Sequence, residues 1–218
     1  VNDRMFFGTY DNAELYRREG SIALLSTAST SHMTVYASTT LETGVHLSIS
    51  GNYNNQGIVS ASSTGTTTFS GSSAQSIAGN LTGSSSLPNA VFTGAGTKAF
   101  LNTASTSNFT IQSGSGAVSA PTSLSIRGDY SNSGAFTSGG GTTTFSGTGT
   151  QTATGTMTGT SAFATLVLNN TTGTTTFGAA LTASQRFYAS SSEGMRLVFA
   201  PNATATLTNA ILHGSSTH

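Results

Sequence analysis

A self-similarity with a period of about 76 to 77 residues constrains this chain more than any other feature. Thr66-Thr67-Thr68-Phe69-Ser70-Gly71 recurs as Thr142-Thr143-Thr144-Phe145-Ser146-Gly147. Ser26-Thr27-Ala28-Ser29-Thr30-Ser31 is echoed at the same offset by Asn102-Thr103-Ala104-Ser105-Thr106-Ser107. Leu47-Ser48-Ile49-Ser50-Gly51-Asn52-Tyr53 returns one position beyond that offset, as Leu124-Ser125-Ile126-Arg127-Gly128-Asp129-Tyr130. A third, more degenerate copy reads as opening near Thr174-Thr175-Thr176-Phe177, giving about two and a half copies over residues 21–218. Repetition on this scale points to units that bury their apolar faces against one another in a stack.

Within each copy, short apolar-alternating segments recur at intervals of roughly 8 to 10 residues, for example 47–49, 67–69, 109–111 and 166–168. Met195, Leu197 and Phe199 face one way and Arg196 and Val198 the other, the two-residue period of a strand. Gly, Asn, Ser and Thr clusters between them are turn chemistry, and no helical period follows residue 20. Three strands to a coil would make the repeat three coils of about 25 residues. The expected fold is therefore all-β, a right-handed parallel β-helix of about 8 rungs and roughly 40 Å long. The alternative is a β-sandwich or jelly roll, but a sandwich has no reason to repeat at this period with matching identities.

Charged residues are only 6% of the chain, where an ordinary domain carries about a quarter. Half of them, Asp3, Arg4, Asp11, Glu14, Arg17, Arg18 and Glu19, precede Gly20. Residues 1–20 therefore read as a cap or docking arm, with Phe6, Phe7, Tyr10, Tyr16, Arg17 and Arg18 as the candidate assembly contacts. A net charge of +0 removes the electrostatic case for nucleic acid. No apolar run approaches the length of about 18 residues that a membrane-crossing helix needs, so no transmembrane segment is expected. The absence of Cys excludes disulfides, thiolate metal sites and a Cys nucleophile. A start at Val1 without Met reads as a mature, processed product.

The series from Leu47 to Gly57, then Thr66 to Gly71, then Ala74-Gln75-Ser76-Ile77, resembles the repeats of large bacterial secreted and cell-surface parallel β-helix proteins of the adhesin or autotransporter-passenger type. The second copy keeps the pattern at Leu124 to Gly134, Gly141 to Gly147 and Thr150-Gln151-Thr152, and the likeness spans roughly residues 22–212. It implies the fold; residues 1–20 lie outside it.

Catalytic chemistry finds little to stand on. Glycoside hydrolysis needs two carboxylates flanking one bond, and after Glu19 only Glu42, Asp129 and Glu193 remain. Asp129 occupies the place of Asn52, which suggests a turn position. His32, His46, His213 and His218 have no metal-ligand spacing, and His32 aligns with Asn108. No catalytic residue, metal site or cofactor is expected. Thr148, Thr150, Thr152, Thr154, Thr156, Thr158 and Thr160 would share one face of an extended chain and suggest ice binding. The first copy does not repeat them, so strand propensity is the better account. Asn80, Asn108, Asn169, Asn170 and Asn202 each open a glycosylation sequon.

The expected function is thus non-enzymatic and structural: a self-assembling fibre, sheath or surface-layer subunit at the cell surface or outside the cell. Its partner would be itself, in a head-to-tail homopolymer. An adhesin segment that binds glycans or a host surface is the alternative, and ice binding ranks below both.

Overall fold

The computed structural model describes residues 3–5, 9–15, 21–24, 26–44, 46–61, 64–190 and 195–213. It is a parallel β-solenoid of about nine turns. Every described strand pair runs parallel, including Ala28 on Leu47, Leu47 on Thr67, Thr67 on Ala90 and Ala90 on Phe109. The sandwich alternative is excluded, because facing layers of hairpins would need antiparallel partners. At a strand spacing of about 4.8 Å, nine turns make a rod of about 43 Å.

The chain visits three faces in rotation. Face one runs through Leu47, Thr67, Ala90, Phe109, Tyr130, Ala153, Phe177 and Phe199. Face two includes Ala13, Met33, Tyr53, Ile77 and Phe100. Face three includes Ile22, Leu41 and Val59, and then Ala104, Leu124, Thr143, Leu166, Phe187 and Ala210. Alternate side chains are buried along strands such as Thr66–Phe69, where Thr67 and Phe69 point inward and Thr66 and Thr68 outward.

Three equal coils per repeat would put about 25 residues between stacked partners. The observed coils are shorter: Val118 pairs with Phe136, and Tyr53 with Ile77. As a result the sequence repeat is out of phase with the coil. Leu47 lies on face one, but its counterpart Leu124 lies on face three. Tyr53 lies on face two and its counterpart Tyr130 on face one. Ile58–Ala61 stacks on face three, whereas its counterpart Phe136–Thr137 stacks on face two. From Leu47 to Leu124 the chain takes eleven face-to-face steps, or three and two-thirds turns. Each copy is therefore turned by one face relative to the last.

Long strands mark where each copy begins. Ala28–Val35 spans faces one and two, Ala104–Ile111 spans faces three and one, and Leu181–Ser190 spans faces two and three. The third copy thus opens at Leu181. Thr174–Phe177, read from sequence as its start, stacks on Gln151–Ala153 as Lys98–Phe100 stacks on Gln75–Ile77, and so closes the second copy. The Thr alternation is also broken up. Thr152 and Thr154 belong to the strand Gln151–Gly155, while Thr160 lies in the 3-10 turn Gly159–Ser161.

Aromatic rings fill the interior in an unbroken succession from Tyr53 to Phe199. Tyr53 meets Phe69, Phe69 stacks on Phe92, and Phe92 lies 4.7 Å from Phe109. Phe109 stacks on Tyr130, which meets Phe145 edge-on, and Phe145, Phe177 and Phe199 complete the series.

Polar side chains are buried at the corners, where they satisfy backbone groups that a bending strand cannot pair. Asn55 accepts the Gly57 N–H (3.1 Å) and donates to the Asn80 carbonyl (2.7 Å). Asn132 does the same with Gly134 and Thr156. Gly79 and Gly155 sit against these corners at φ +95° and +85°, where a methyl group would overlap the Asn55 or Asn132 carbonyl. Gln75 accepts from Gly71 N–H and donates to the carbonyls of Ile49 and Gly51. Gln151 repeats that pattern with Gly147, Ile126 and Gly128.

Lys98, stacked directly on Gln75, is fully buried with no counter-ion among the described residues. Its ammonium donates to three backbone carbonyls, those of Gly94 (2.5 Å), Gly96 (2.6 Å) and Gly71 (3.2 Å). Burial pulls its pKa below the ordinary lysine value, and the three carbonyls hold the proton in place against that pull. Lys98→Met should therefore lower stability by about 1–3 kcal/mol, the cost of stranding buried acceptors. Denaturant melts of the variant check this; unchanged stability would show that the cage is dispensable.

Candidate functional site

The sequence-predicted assembly arm is only partly visible. Phe6, Phe7, Tyr16, Arg17 and Arg18 lie outside the described residues. Tyr10 falls within the strand Thr9–Leu15 and its backbone pairs with Thr30. That strand stacks on Ala28–Val35, and Asp3–Met5 stacks on Ser21–Leu24. The described part of residues 1–20 is thus laid down as a coil parallel to the next one.

Asp129 and His32 serve the backbone. The Asp129 carboxylate accepts the Thr152 N–H at 2.8 Å, as the Asn52 amide oxygen accepts that of Ser76 at 2.8 Å. Asp129 is therefore a corner acceptor that either residue type can supply. His32 Nδ1 accepts the Asn52 N–H at 2.9 Å, and Asn108 Oδ1 does the same for Asp129 at 2.7 Å. No three His, Asp or Glu side chains cluster among the described residues. Glu193 and His218 lie outside them. Of the sequon asparagines, Asn170 is fully buried, with its amide donating to the Gly149 carbonyl, so the folded chain does not present it for glycosylation.

The most distinctive surface is the last described coil, made of Arg196–Phe199, Ala205–Leu207 and Ala210–His213. These strands pair below with Thr174–Phe177 and Leu181–Ser190, and with no further strand among the described residues. Leu212 stacks on Ala189, an interior position that is 3% exposed, yet Leu212 itself is 67% exposed. Leu197, Phe199 and Leu207 pack against the core from one side and are only partly buried. Among the described residues the coil therefore combines a row of strands stacked on one side only with a floor of interior-type side chains. Residue patterning alone could not have located this surface, because Leu197 and Phe199 look like any other core alternation.

No family model, curated protein or solved structure matches this chain. Its reading rests on its own geometry. No helix among the described residues is long and apolar enough to cross a membrane.

Proposed function

We propose that this chain is a structural subunit of an extracellular or cell-surface fibre, sheath or layer, extended by stacking one copy on the next. The observation that carries this reading is the last described coil, with its exposed Leu212 and strands that pair on one side only with other strands among the described residues. An open parallel edge over an apolar floor is a template for another coil of the same kind. A head-to-tail contact of this sort does not close on itself, so it propagates into a filament. The outer ladder of face one, Ser48, Thr68, Val91, Thr110 and Ser131, gives the rod an uncharged wall in keeping with a construction role.

Negative-stain microscopy and light scattering over a concentration series test the proposal. The unaltered chain is expected to form filaments. Leu212→Asp, with an unchanged circular dichroism spectrum, is expected to remain as single particles, and so is a chain lacking residues 1–19. Single particles of the unaltered chain at every concentration, or filaments from both variants, would sink the reading.

A further inference from the structure

Face three is broken at one place. One turn after Ile58–Ala61 the chain makes the 3-10 turn Gly83–Ser85 where a strand would otherwise lie. The Val59 N–H donates to Ser85 Oγ at 3.0 Å, and ladder pairing resumes where Leu81 and Leu87 meet Ala104 and Thr106. The break leaves a groove of about 420 Å³ whose walls include Ser60, Ser84, Ser86, Pro88, Ser107 and Arg127. That volume lies in the range of small-ligand sites, about 300–1,000 Å³.

The groove has a definite chemistry. Ser86 Oγ donates to the Gly83 carbonyl (2.7 Å), contacts Ser105 Oγ (2.5 Å) and accepts from Arg127 Nη1 (3.4 Å). This holds the guanidinium beside the groove, and the guanidinium makes no other hydrogen bond or ion pair among the described residues. Arg127 also stands where the first copy has Ser50, so it is an isolated cation on a hydroxyl-clad wall.

We infer that this groove binds a saccharide carrying a carboxylate, such as a uronic acid unit. A planar guanidinium takes a carboxylate through two parallel N–H bonds. Serine hydroxyls, which both donate and accept, match the hydroxyls of a sugar ring. A single cation suits a single acid group better than a polyphosphate, and of the lining side chains only Pro88 is apolar, too little for a greasy ligand. The second copy supplies an internal comparison. There Phe136 N–H donates to Ser161 Oγ at 3.1 Å over the matching 3-10 turn, but Ala162, Ala164 and Thr208 replace Ser86, Pro88 and Arg127. One site per chain is therefore expected.

This site is independent of assembly, so its test is separate from that of the fibre. Isothermal calorimetry would compare digalacturonate, neutral galactobiose and inorganic sulfate on the full chain. Digalacturonate is expected to saturate one site, and Arg127→Gln to weaken it by about tenfold or more, the worth of a charge-assisted hydrogen bond. Arg186→Gln, at another exposed arginine, should leave binding unchanged, and both variants should melt and assemble like the parent. Equal binding of the neutral sugar, sulfate binding as tightly as the uronate, no saturation, or indifference to Arg127→Gln would each overturn the inference.

Discussion

Phe109→Ala should destabilise the solenoid by about 3–5 kcal/mol, the range for emptying a buried aromatic site. Phe109 is fully buried and touches rings on both neighbouring coils: Phe92 at 4.7 Å, Tyr130 at 5.9 Å, Phe100 at 6.3 Å and Phe136 edge-on at 6.1 Å. It therefore joins the first copy to the second. In a solenoid each coil is supported chiefly by its neighbours, so a defect there uncouples the two halves rather than weakening all coils evenly. The expected denaturant curve is two transitions in place of one. A loss below about 1 kcal/mol, typical of surface changes, would show that the ring series is not what joins the copies.

Alkaline conditions should unfold the chain steeply. Tyr53 and Tyr130 are buried, and burial pushes both phenols well above the ordinary value near 10. Above about pH 10 the unfolded chain loses these protons while the folded chain keeps them, so stability falls as pH rises. Each tyrosine contributes about 1.4 kcal/mol per pH unit, hence about 3 kcal/mol per unit for the pair. Lys98 acts with the opposite sign. Between its lowered folded pKa and the usual value of about 10.4, the unfolded chain holds more protons, so stability there rises with pH. That gain ends where the tyrosine loss takes over. Unfolding free energies from pH 9 to 12 should show the decline, and the double variant Tyr53→Phe, Tyr130→Phe should remove most of it. A slope unchanged in that variant would rule the phenols out. Tyr130→Phe should cost little at neutral pH, because its hydroxyl makes no hydrogen bond among the described residues.

The architecture is readable from the chain because strand spacing, alternation and repeat identity all depend on local chemistry. Thr66–Phe69 and Thr142–Phe145 carry the same inward and outward pattern wherever they lie on the rod. The phase is not readable. A repeat length states how often a pattern returns, but not how many corners intervene, and corner lengths vary with features such as the turn Gly83–Ser85. Dividing the repeat into equal coils therefore overestimates the turn, and the motif at Thr174 mimics the start of a copy that opens at Leu181. Gln75, Gln151 and Lys98 look like surface polar residues, since their partners are backbone carbonyls that leave no mark on composition. Arg127 is visible as a departure from Ser50, but the groove it borders arises from the wall interruption at Gly83–Ser85, far from it in sequence.

The offset between repeat and coil makes length and orientation inseparable in this molecule. Deleting one whole copy would shorten the rod and also swing everything downstream through a third of a circle, presenting it to a different neighbour. Adding three would restore the original bearing. A lineage that gains or loses copies by duplication would thereby redirect its surface groups around the axis without altering a single one of them.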